Sequence, residues 1–349
     1  MKKYDVIIIG AGPAGCKTGE IISSKGYSAL IIEEHATIGT PVQCTGLVSK
    51  KIGKIPKKII LNKIKNAKFC TGKSCFEVKS KEKAYVIDRA GFDKFTATKA
   101  KSAGVEFKLG SRFSGLKGNI ICAGGKKYET KILVGSDGPY SPVAKSKKIK
   151  LPGNFVAGMQ ACVTGEFVVD TVELHFGSDV APGMFAWVVP ENEEIARVGL
   201  MTNKNPIKYF EKFVKRTVGD VNMQDKFGDV VRYGLIDKSC SDRTMLVGDA
   251  ACQIKPFSAG GLVYGQIGAK YAGEACIKAL EQNDLSEEFF LEHYDKRWKE
   301  ELAGPIRTGL LFKKIFSAVC DKPFVFDIVK NLGIVKLSSF LNMDFLGKN

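Results

Sequence analysis

The strongest constraint on the fold lies at the start of the chain, in the stretch Tyr4–Glu34. Its apolar run Val6–Ile9 is typical of a buried parallel strand. The glycine pattern GAGPAG follows directly, then Cys16–Lys25 has the composition of a helix, and Ser28–Ile32 forms a second apolar run. This order predicts a βαβ unit whose first turn is rich in glycine.

The glycines and the acid of this unit indicate a dinucleotide. Gly10 permits a tight turn, Gly12 lets the backbone approach a pyrophosphate, and Gly15 lets the helix pack closely on the strand. The helix N-terminus offers N–H groups and a positive dipole end to the phosphates. An acidic residue about 20 positions after the glycines can accept hydrogen bonds from a ribose hydroxyl, which favours Glu33 and leaves Glu34 as the alternative. A glycine-rich turn in an ordinary α/β unit would not explain that acid, and the motif alone leaves both NAD and FAD open.

The composition is that of a globular cytoplasmic protein. With 349 residues, 44% of them hydrophobic, the chain can bury a large core in one or two domains. No uninterrupted apolar run reaches the roughly 18 residues that a spanning helix needs. The basic start, MKKYDVIIIG, leads into a short strand and not into the longer apolar region of a signal peptide. We therefore expect a cytoplasmic protein.

The formal net charge of +16 comes mostly from lysine. Lysine-rich surfaces are common, particularly in thermophiles, and need no partner to explain them. The functional alternatives are an acidic partner protein, a phosphorylated substrate or an anionic membrane face. No module that combines aromatic and basic residues is present, so nucleic acid is not expected as a partner.

Ten cysteines are many for a chain expected in a reducing compartment. No CxxC pair and no Cys/His cluster with zinc spacing occurs, so we predict no metal site. Most of the cysteines are expected to be small buried hydrophobic residues. Cys70 and Cys75 would face each other across a hairpin whose turn is Thr71–Ser74. Two free thiols are favoured there over a disulfide.

Composition along the chain divides it into four segments. Residues 1–149 form the first part of a nucleotide-binding domain, with a lysine-rich insertion at 50–83. Alternating apolar and polar residues over 150–236 predict an inserted, largely antiparallel β domain. Residues 237–304 return to α/β character and complete the first domain. The tail, 305–349, is predicted to form two or three short amphipathic helices, packed on the domain or lying on a membrane surface.

Two later stretches each combine a buried strand with an aspartate and a glycine. The strand predicted at Lys131–Gly135 is followed by Asp137–Gly138, and the strand Met245–Val247 is followed by Gly248–Asp249. Together with GAGPAG and Glu33, these stretches resemble the FAD-dependent oxidoreductases of the p-hydroxybenzoate hydroxylase-like fold. The resemblance implies FAD as the cofactor. It also implies an α/β fold class: a Rossmann-like FAD-binding domain with an inserted antiparallel β-sheet substrate domain and a helical C-terminal tail.

The same resemblance implies where the cofactor is held. Asp249 would accept hydrogen bonds from ribose or ribityl hydroxyls, while Pro256, Gly260 and Gly261 would bring backbone N–H groups toward the N1/O2 edge of the flavin. Arg89 resembles the family's arginine near the pyrophosphate or flavin, with a surface salt bridge as its alternative role. The full cofactor-binding set implied in this way is Gly10, Gly12, Pro13, Ala14, Gly15, Glu33, Glu34, Cys44, Arg89, Phe113, Asp137, Gly138, Asp249, Pro256, Gly260, Gly261 and Leu262.

Within that fold the chain is most similar to the geranylgeranyl reductase family, whose members saturate isoprenoid chains. The similarity lies in Pro41–Gly46, in Ala181–Pro190 and in Gln253–Pro256. The family carries a Pro-x-x-Tyr-x-Trp-x-Phe-Pro motif within the second of these stretches. The resemblance implies that this motif lines the substrate cavity.

This chain keeps the motif only in part. Pro182, Trp187 and Pro190 match it, whereas Phe185 stands in place of the tyrosine and Val189 in place of the phenylalanine. The wall therefore stays apolar but loses a phenol hydroxyl. The predicted substrate residues are Trp187, Phe185 and Pro190, with packing within the sheet as the alternative role of the tryptophan.

Cys44 is the candidate catalytic residue, because the family resemblance implies that it lies close to the flavin ring and faces the substrate cavity. Saturating an isolated double bond needs a hydride from the reduced flavin and a proton on the other carbon. A thiol held near the ring could donate that proton or position the alkene. A passive cysteine that only lines the flavin pocket is the alternative.

The function implied by the resemblance is FAD-dependent reduction of C=C bonds in geranylgeranyl or polyprenyl lipids. No second dinucleotide motif is present, so electrons would come from an acidic carrier such as ferredoxin or from transiently bound NAD(P)H. The charge and the tail would suit peripheral contact with a membrane. One alternative is a flavin monooxygenase or halogenase acting on an apolar substrate, although residue 185 is Phe where halogenases have Trp-x-Trp. The other alternative is a non-catalytic flavin electron-transfer protein.

Overall fold

The computed structural model describes residues 1–72, 74–221, 223–319 and 344, and within these the side chains at 80–82 and 318–319 are left aside. The strands, in chain order, are Lys2–Ile9 (β1), Ala29–Ile32 (β2), Leu47–Val48 (β3), Ile60–Thr71 (β4), Ser74–Ile87 (β5), Glu106–Lys108 (β6), Phe113–Lys117 (β7), Ile120–Ala123 (β8), Lys126–Gly135 (β9), Asn154–Thr164 (β10), Thr171–Phe176 (β11), Ala186–Pro190 (β12), Ile195–Thr202 (β13), Met223–Tyr233 (β14), Cys240–Ser241 (β15) and Thr244–Leu246 (β16). The helices are Pro13–Ser23 (α1), Arg89–Ser102 (α2), Pro142–Ser146 (α3), Pro206–Val218 (α4), Leu262–Gln282 (α5), Glu287–Phe290 (α6) and Lys296–Val319 (α7).

These elements divide between two compact units. Unit 1 comprises Met1–Pro41, Ala90–Asn154 and Arg232–Arg307. Unit 2 comprises Val42–Arg89, Phe155–Val231 and the described residues from Thr308 onward. The boundaries drawn from the sequence differ from this division, because they assign the insertion 50–83 to the first domain.

Unit 1 is built on a mainly parallel sheet with the strand order β15-β16-β9-β1-β2-β6, which the hairpin β7–β8 extends beside β9. β1 lies at the centre and pairs in parallel with both β2 and β9. Its residues Val6, Ile7 and Ile8 have no exposed surface, as their apolar run predicts. The βαβ unit predicted from the sequence is therefore confirmed.

Unit 2 is built on a sheet with the order β14-β10-β13-β12-β11-β4-β5-β3. Its described pairs are antiparallel except for β4 and β11, which run parallel. That pairing explains why the insertion belongs to this unit. Alternate residues of β10, β12 and β13 form a buried core with α4 and with Val180 and Ala181, which precede β12. Its members are Met159, Ala161, Val163, Val180, Ala181, Ala186, Val188, Ala196, Val198, Leu200, Phe210, Phe213 and Val214.

The hairpin β4–β5 corrects one prediction. It places Cys70 opposite Cys75 and Thr71 opposite Ser74, as predicted. The two cysteines, however, form a disulfide and are not free thiols. Direct cross-strand pairing brings their Cα atoms to 4.3 Å, which is close enough for a bridge.

The predicted helical tail is described only in its first part. Residues 305–319 are helical and belong to α7, which begins before them at Lys296 and contains Pro305 in its interior. Leu302 and Ile306 are fully buried one turn apart, so packing favours a continuous helix despite the N–H group that proline lacks. The rest of the predicted tail, apart from residue 344, lies outside the described residues. No helix in the described part of the chain is both long and apolar enough to span a membrane.

Candidate functional site

The glycine-rich turn of unit 1 contains three glycines of the motif. Packing within the protein requires glycine at two of these positions and would accept a Cβ at the third. Gly10 has φ of +102°, and a Cβ there would lie 2.2 Å from the Ser136 carbonyl oxygen. A Cβ on Gly15 would lie 2.2 Å from the Gly10 carbonyl oxygen. A Cβ on Gly12 would meet no described atom within 4 Å. The turn therefore leaves open space at Gly12, as the approach of a phosphate requires.

Two helices of unit 1 begin next to this turn, and a hydrogen bond connects their N-terminal parts. α1 begins after Gly12 and α5 begins after Gly261, and neither cap residue makes a side-chain hydrogen bond. Gln266 Nε2 donates to the Pro13 carbonyl oxygen at 3.0 Å, which ties the N-terminal part of α5 to the first residue of α1. Ala14 of α1 lies against the loop that contains Gly248. A Cβ added at Gly248 would lie 3.0 Å from the Cβ of Ala14. Both N-termini are suited to bind negative charge.

Glu33 lies at the end of β2 and is positioned by the turn itself. Its Oε2 accepts the Ala11 N–H at 2.8 Å, and its Oε1 accepts the His35 N–H at 2.9 Å and contacts His35 Nδ1 at 2.7 Å. A carboxylate offers about four acceptor positions, so Oε2 has one left for a hydroxyl group. Glu34 points away, with 52% of its side chain exposed beside Arg112. The geometry favours Glu33 over Glu34 as a ribose acceptor.

Asp137 uses its carboxylate to start helix α3. Ser141 Oγ donates to Oδ1 at 2.7 Å and the Val143 N–H donates to Oδ2 at 2.8 Å. Burial raises the pKa of Asp137 despite these hydrogen bonds. Ser141 in turn accepts the Ala144 N–H at 3.0 Å and so caps helix α3. The following Gly138 has φ of +75° and open space around it.

The loop before α5 holds the second predicted group of cofactor residues. A Cβ on Gly261 would lie 2.6 Å from Asp249 Oδ1, and one on Gly260 would lie 2.6 Å from Lys255 Cε. The Lys255 N–H donates to the Gly260 carbonyl oxygen at 3.2 Å, closing the loop that contains Pro256. Leu262 is the first residue of the helix, whereas Phe113 lies elsewhere in unit 1 as a buried residue of β7.

A buried polar network that the sequence analysis missed supports this loop. Gln253 Oε1 accepts the Gly248 N–H at 2.8 Å, and Gln253 Nε2 donates to Tyr294 Oη at 3.0 Å. Tyr294 Oη donates to the Leu246 carbonyl oxygen. Both side chains have no exposed surface. Gly268 leaves the space for them, since its Cβ would lie 1.8 Å from Gln253 Oε1.

Replacing Tyr294 by phenylalanine should destabilise unit 1 by about 1–3 kcal/mol, because it removes a partner from two buried polar groups, Leu246 O and Gln253 Nε2. Urea unfolding of the protein measures this loss. Tyr140→Phe is the matched control, since Tyr140 is 63% exposed and its change should stay within about 0.5 kcal/mol. Equal midpoints for the two variants would contradict the network's role.

In unit 2, Cys44 lies in a loop whose backbone is bound to the sheet. The Gly46 N–H donates to Cys44 Sγ at 3.3 Å. Gly46 has φ of +69°, and a Cβ there would lie 2.6 Å from Arg197 Nη1. Arg89 lies beside the loop, because the same Cβ would be 3.5 Å from its Cγ. Cys44 is half-buried, whereas Cys16, Cys240 and Cys252 are buried. Burial raises the pKa of each of these three buried thiols to about 12.

Arg197 is one of the residues that bind this loop. It is 7% exposed on β13, and its Nη1 donates to the carbonyl oxygens of Thr45 and of Ile87, the latter at 3.1 Å. Its Nε donates to Glu191 Oε1 at 2.6 Å, so the charge is paired. The fixed fork of the guanidinium lets one side chain bind two backbone segments and one carboxylate.

Trp187 is bound to the same loop through Gln160. Gln160, Gly199 and Trp187 lie in register on the neighbouring strands β10, β13 and β12. The indole lies across the glycine, whose Cβ would be 2.5 Å from Trp187 Cζ2, and its Nε1 donates to Gln160 Oε1 at 3.1 Å. Thr45 Oγ1 donates to the same oxygen at 2.7 Å. One buried amide thus connects the tryptophan to the residue after Cys44.

Aromatic rings continue from Trp187 across the sheet. Phe185 lies 6.1 Å from the indole and 5.8 Å from Phe176, measured between ring centroids. Phe176 lies 6.2 Å from Phe69 on β4. Pro190 closes the other end of β12, where it pairs with Ala196 and is buried. Trp187 and Pro190 therefore lie on β12 and Phe185 directly precedes that strand, and Phe185 and Trp187 belong to a continuous aromatic row.

Comparisons with known proteins identify the domain and the family. Residues 3–50 match the family model of an FAD binding domain. The digeranylgeranylglycerophospholipid reductase of Methanosarcina acetivorans is 31% identical over 98% of this chain and 92% of its own length. An uncharacterized protein of Methanocaldococcus jannaschii is 34% identical over 99% of this chain and 91% of its own length. A geranylgeranyl bacteriochlorophyll reductase-like protein from Thermoplasma acidophilum has a TM-score of 0.86 at 25% identity, covering 99% of this chain and 93% of that one.

The fold and the matched domain define an FAD-dependent oxidoreductase. The chain belongs to the geranylgeranyl reductase family of these enzymes, as the sequence motifs predict.

Proposed function

We propose that this protein is an FAD-dependent reductase that saturates C=C bonds of geranylgeranyl or other polyprenyl lipids. The observation that carries the proposal is the extent of the similarity to the reductase of Methanosarcina acetivorans, which covers 98% of the chain. It therefore includes unit 2 with its aromatic row, and not only the nucleotide-binding turn that flavin enzymes of many activities share.

The residues of unit 1 fit FAD. Gly12 leaves open space before an uncapped helix N-terminus, which suits the pyrophosphate, and Glu33 keeps an acceptor position for a ribose hydroxyl. Asp249 and the start of α5, where Gly261 brings no side chain of its own, suit the ribityl chain and the flavin edge. Reduced FAD, when bound, supplies the hydride for the double bond.

The residues of unit 2 would supply the rest of the chemistry. Cys44 Sγ would hold the proton that the second carbon needs, in a loop that Arg197 keeps in one conformation. Trp187 and Phe185 would line the path of the isoprenoid chain. Because residue 185 is Phe and residue 189 is Val, that path presents no hydroxyl group at these two positions.

The electron donor and the membrane contact are further parts of the proposal. A net charge of +16 suits an acidic carrier such as ferredoxin, because opposite charge speeds diffusional encounter. Transient binding of NAD(P)H is the alternative source of electrons. Peripheral contact with a membrane would bring the enzyme to a lipid substrate.

The test is turnover without oxygen. The purified protein is checked for a flavin spectrum, reduced with dithionite and mixed with a digeranylgeranyl lipid. The proposal expects the flavin to reoxidise and the lipid to gain two hydrogen atoms for each double bond. A gain of oxygen that depends on O₂ would instead assign a monooxygenase, and flavin that no apolar substrate reoxidises would indicate an electron-transfer protein.

Replacing Gly12 by alanine should separate cofactor binding from folding. Since a Cβ on Gly12 meets no described atom within 4 Å and its φ of −67° suits alanine, the apoprotein should keep its stability within about 0.5 kcal/mol. FAD affinity should fall roughly tenfold, because the new methyl group occupies space proposed for the pyrophosphate.

Gly15→Ala is the contrasting variant: its Cβ overlaps the Gly10 carbonyl oxygen at 2.2 Å, so the apoprotein itself should lose stability. Thermal unfolding and FAD titration measure both quantities, and unchanged FAD affinity in Gly12→Ala would contradict the assignment.

A further inference from the structure

The longest acid-free stretch of this basic chain lies in unit 2. Between His35 and Phe76 there are nine lysines and neither Asp nor Glu. Lysines are densest over residues 50–63, with the sequence KKIGKIPKKIILNK, which we call the lysine segment. Neither the fold of the FAD-binding unit nor the chemistry at Cys44 accounts for it.

The lysine segment is fixed to the sheet. It contains the short 3₁₀ turns Lys50–Ile52 and Lys57–Ile59 and then enters β4. Ile52 and Ile59 are buried with 8% and 4% exposure, and the Asp88 N–H donates to the Ile59 carbonyl oxygen at 2.8 Å. The buried isoleucines alternate with lysines that point outward, so the charges are presented from a defined surface.

Most of the positive charge of the lysine segment has no ion pair in the described part of the chain. Five of its lysines are exposed and form no ion pair with a described carboxylate: Lys50, Lys54, Lys57, Lys58 and Lys63. The next two lysines of β4 differ, because Lys65 pairs with Asp170 at 3.3 Å and Lys68 with Glu173 at 2.9 Å. Lys65 and Lys68 beside the segment are thus paired, whereas these five lysines of the segment have no ion pair with a described carboxylate.

Apolar side chains lie among these charges. Leu61 is 41% exposed, and Ile55, Pro56 and Ile60 are half-buried between the lysines. The segment has no arginine and no aromatic residue, which are the residues enriched where proteins bind each other, while lysine is depleted there. Lysines around an exposed aliphatic side chain instead match the interface of an anionic bilayer, with phosphate groups outside and acyl chains beneath.

We propose that the lysine segment docks unit 2 on the anionic surface of a lipid bilayer. Lys50, Lys54, Lys57, Lys58 and Lys63 bind phosphate groups, and Leu61 enters the boundary of the acyl chains. The inference deepens the proposed function, since it names the surface from which a lipid substrate would be taken. Vesicle binding itself does not depend on catalysis, so the two can fail separately.

The test uses the full chain loaded with FAD and sedimented with vesicles of phosphatidylcholine, with and without phosphatidylglycerol. The wild-type protein should bind only the anionic vesicles and dissociate in about 0.5 M NaCl. The variant with all five lysines changed to Gln should bind at least about a hundredfold more weakly, because each lysine near such a surface contributes roughly fivefold. Leu61→Ser should lower binding with little change in its salt dependence.

The matched control changes five lysines of unit 1 to Gln, all exposed and without an ion pair to a described carboxylate: Lys117, Lys126, Lys127, Lys145 and Lys150. It removes the same net charge and should bind within about fivefold of the wild-type protein. Equal binding by the two variants would overturn the proposal. It would also be overturned if the segment variant kept vesicle binding but lost only its reduction by an acidic protein such as ferredoxin. Loss of vesicle binding with normal reduction of a detergent-dispersed lipid would support it.

Discussion

Replacing Cys44 by alanine should slow the anaerobic reoxidation of the reduced enzyme by a polyprenyl lipid at least about a hundredfold. Proton transfer by a positioned side chain contributes about 10²- to 10⁴-fold to such a step. The Gly46 N–H holds Cys44 Sγ at 3.3 Å, and the loop is bound through Thr45 to both Arg197 and Gln160, so the thiol has a fixed position. Alanine keeps the contacts of the loop through Thr45 and removes the proton donor, together with the sulfur that accepts the Gly46 N–H. Stopped-flow absorbance of the flavin after mixing with substrate measures the rate.

The matched control for this variant is Cys162→Ala, which removes another half-buried free thiol of unit 2. Its reoxidation rate should stay near that of the wild-type protein. Both variants should retain the flavin spectrum and FAD affinity, which separates loss of chemistry from loss of cofactor. If Cys44→Ala reoxidises as fast as Cys162→Ala, Cys44 only lines the pocket and the proton comes from another group.

The parts of the site that could be predicted from the sequence are those formed by neighbouring residues. Gly10, Gly12 and Gly15 lie within one turn, and each has the environment that its place in the motif predicts. Glu33 follows the next strand, and its hydrogen bond to the Ala11 N–H spans only a short stretch of chain. Such patterns are local because a βαβ unit fixes its own geometry.

The parts that could not be predicted depend on contacts between distant residues. Arg197 binds the carbonyl oxygen of Thr45 across 152 positions, and Gln160 binds its hydroxyl group across 115. No spacing rule connects such residues. The sequence does contain a weaker signal for these contacts. Gln160 and Arg197 are polar residues within the otherwise apolar strands GMQACV and IARVGL. A buried polar residue requires a hydrogen-bond partner.

The assignment of residues 50–83 to unit 2 and the disulfide of Cys70 also could not be predicted from local sequence patterns. The hairpin was visible as a local pattern, but the parallel pairing of β4 with β11 joins segments far apart in sequence. The position of Cys75 opposite Cys70 was also local. A reducing compartment favours thiols, but the compartment carries no information about the geometry of the pair.

Replacing Arg197 by leucine should destabilise unit 2 by about 3 kcal/mol. Leucine leaves Glu191 without its partner and leaves the carbonyl oxygens of Thr45 and Ile87 without their donor, and removing one member of a buried ion pair costs about 3–5 kcal/mol. Glu191 keeps 20% of its side-chain surface exposed, which places the expected loss at the lower end of that range. Urea unfolding measures it, and the alkylation rate of Cys44 by iodoacetamide should rise because the loop is no longer held.

The matched control is Arg216→Leu in the same unit, whose ion pair with Asp179 is 3.4 Å long and has 44% and 59% of the two side chains exposed. Its loss should stay below about 1 kcal/mol, with unchanged alkylation of Cys44. Arg197→Lys separates charge from geometry, since lysine keeps the charge for Glu191 but has no planar fork to reach both carbonyl oxygens. It should therefore recover part of the stability while the alkylation rate stays raised. Equal losses in Arg197→Leu and Arg216→Leu would mean that the loop carrying Cys44 is held by other contacts.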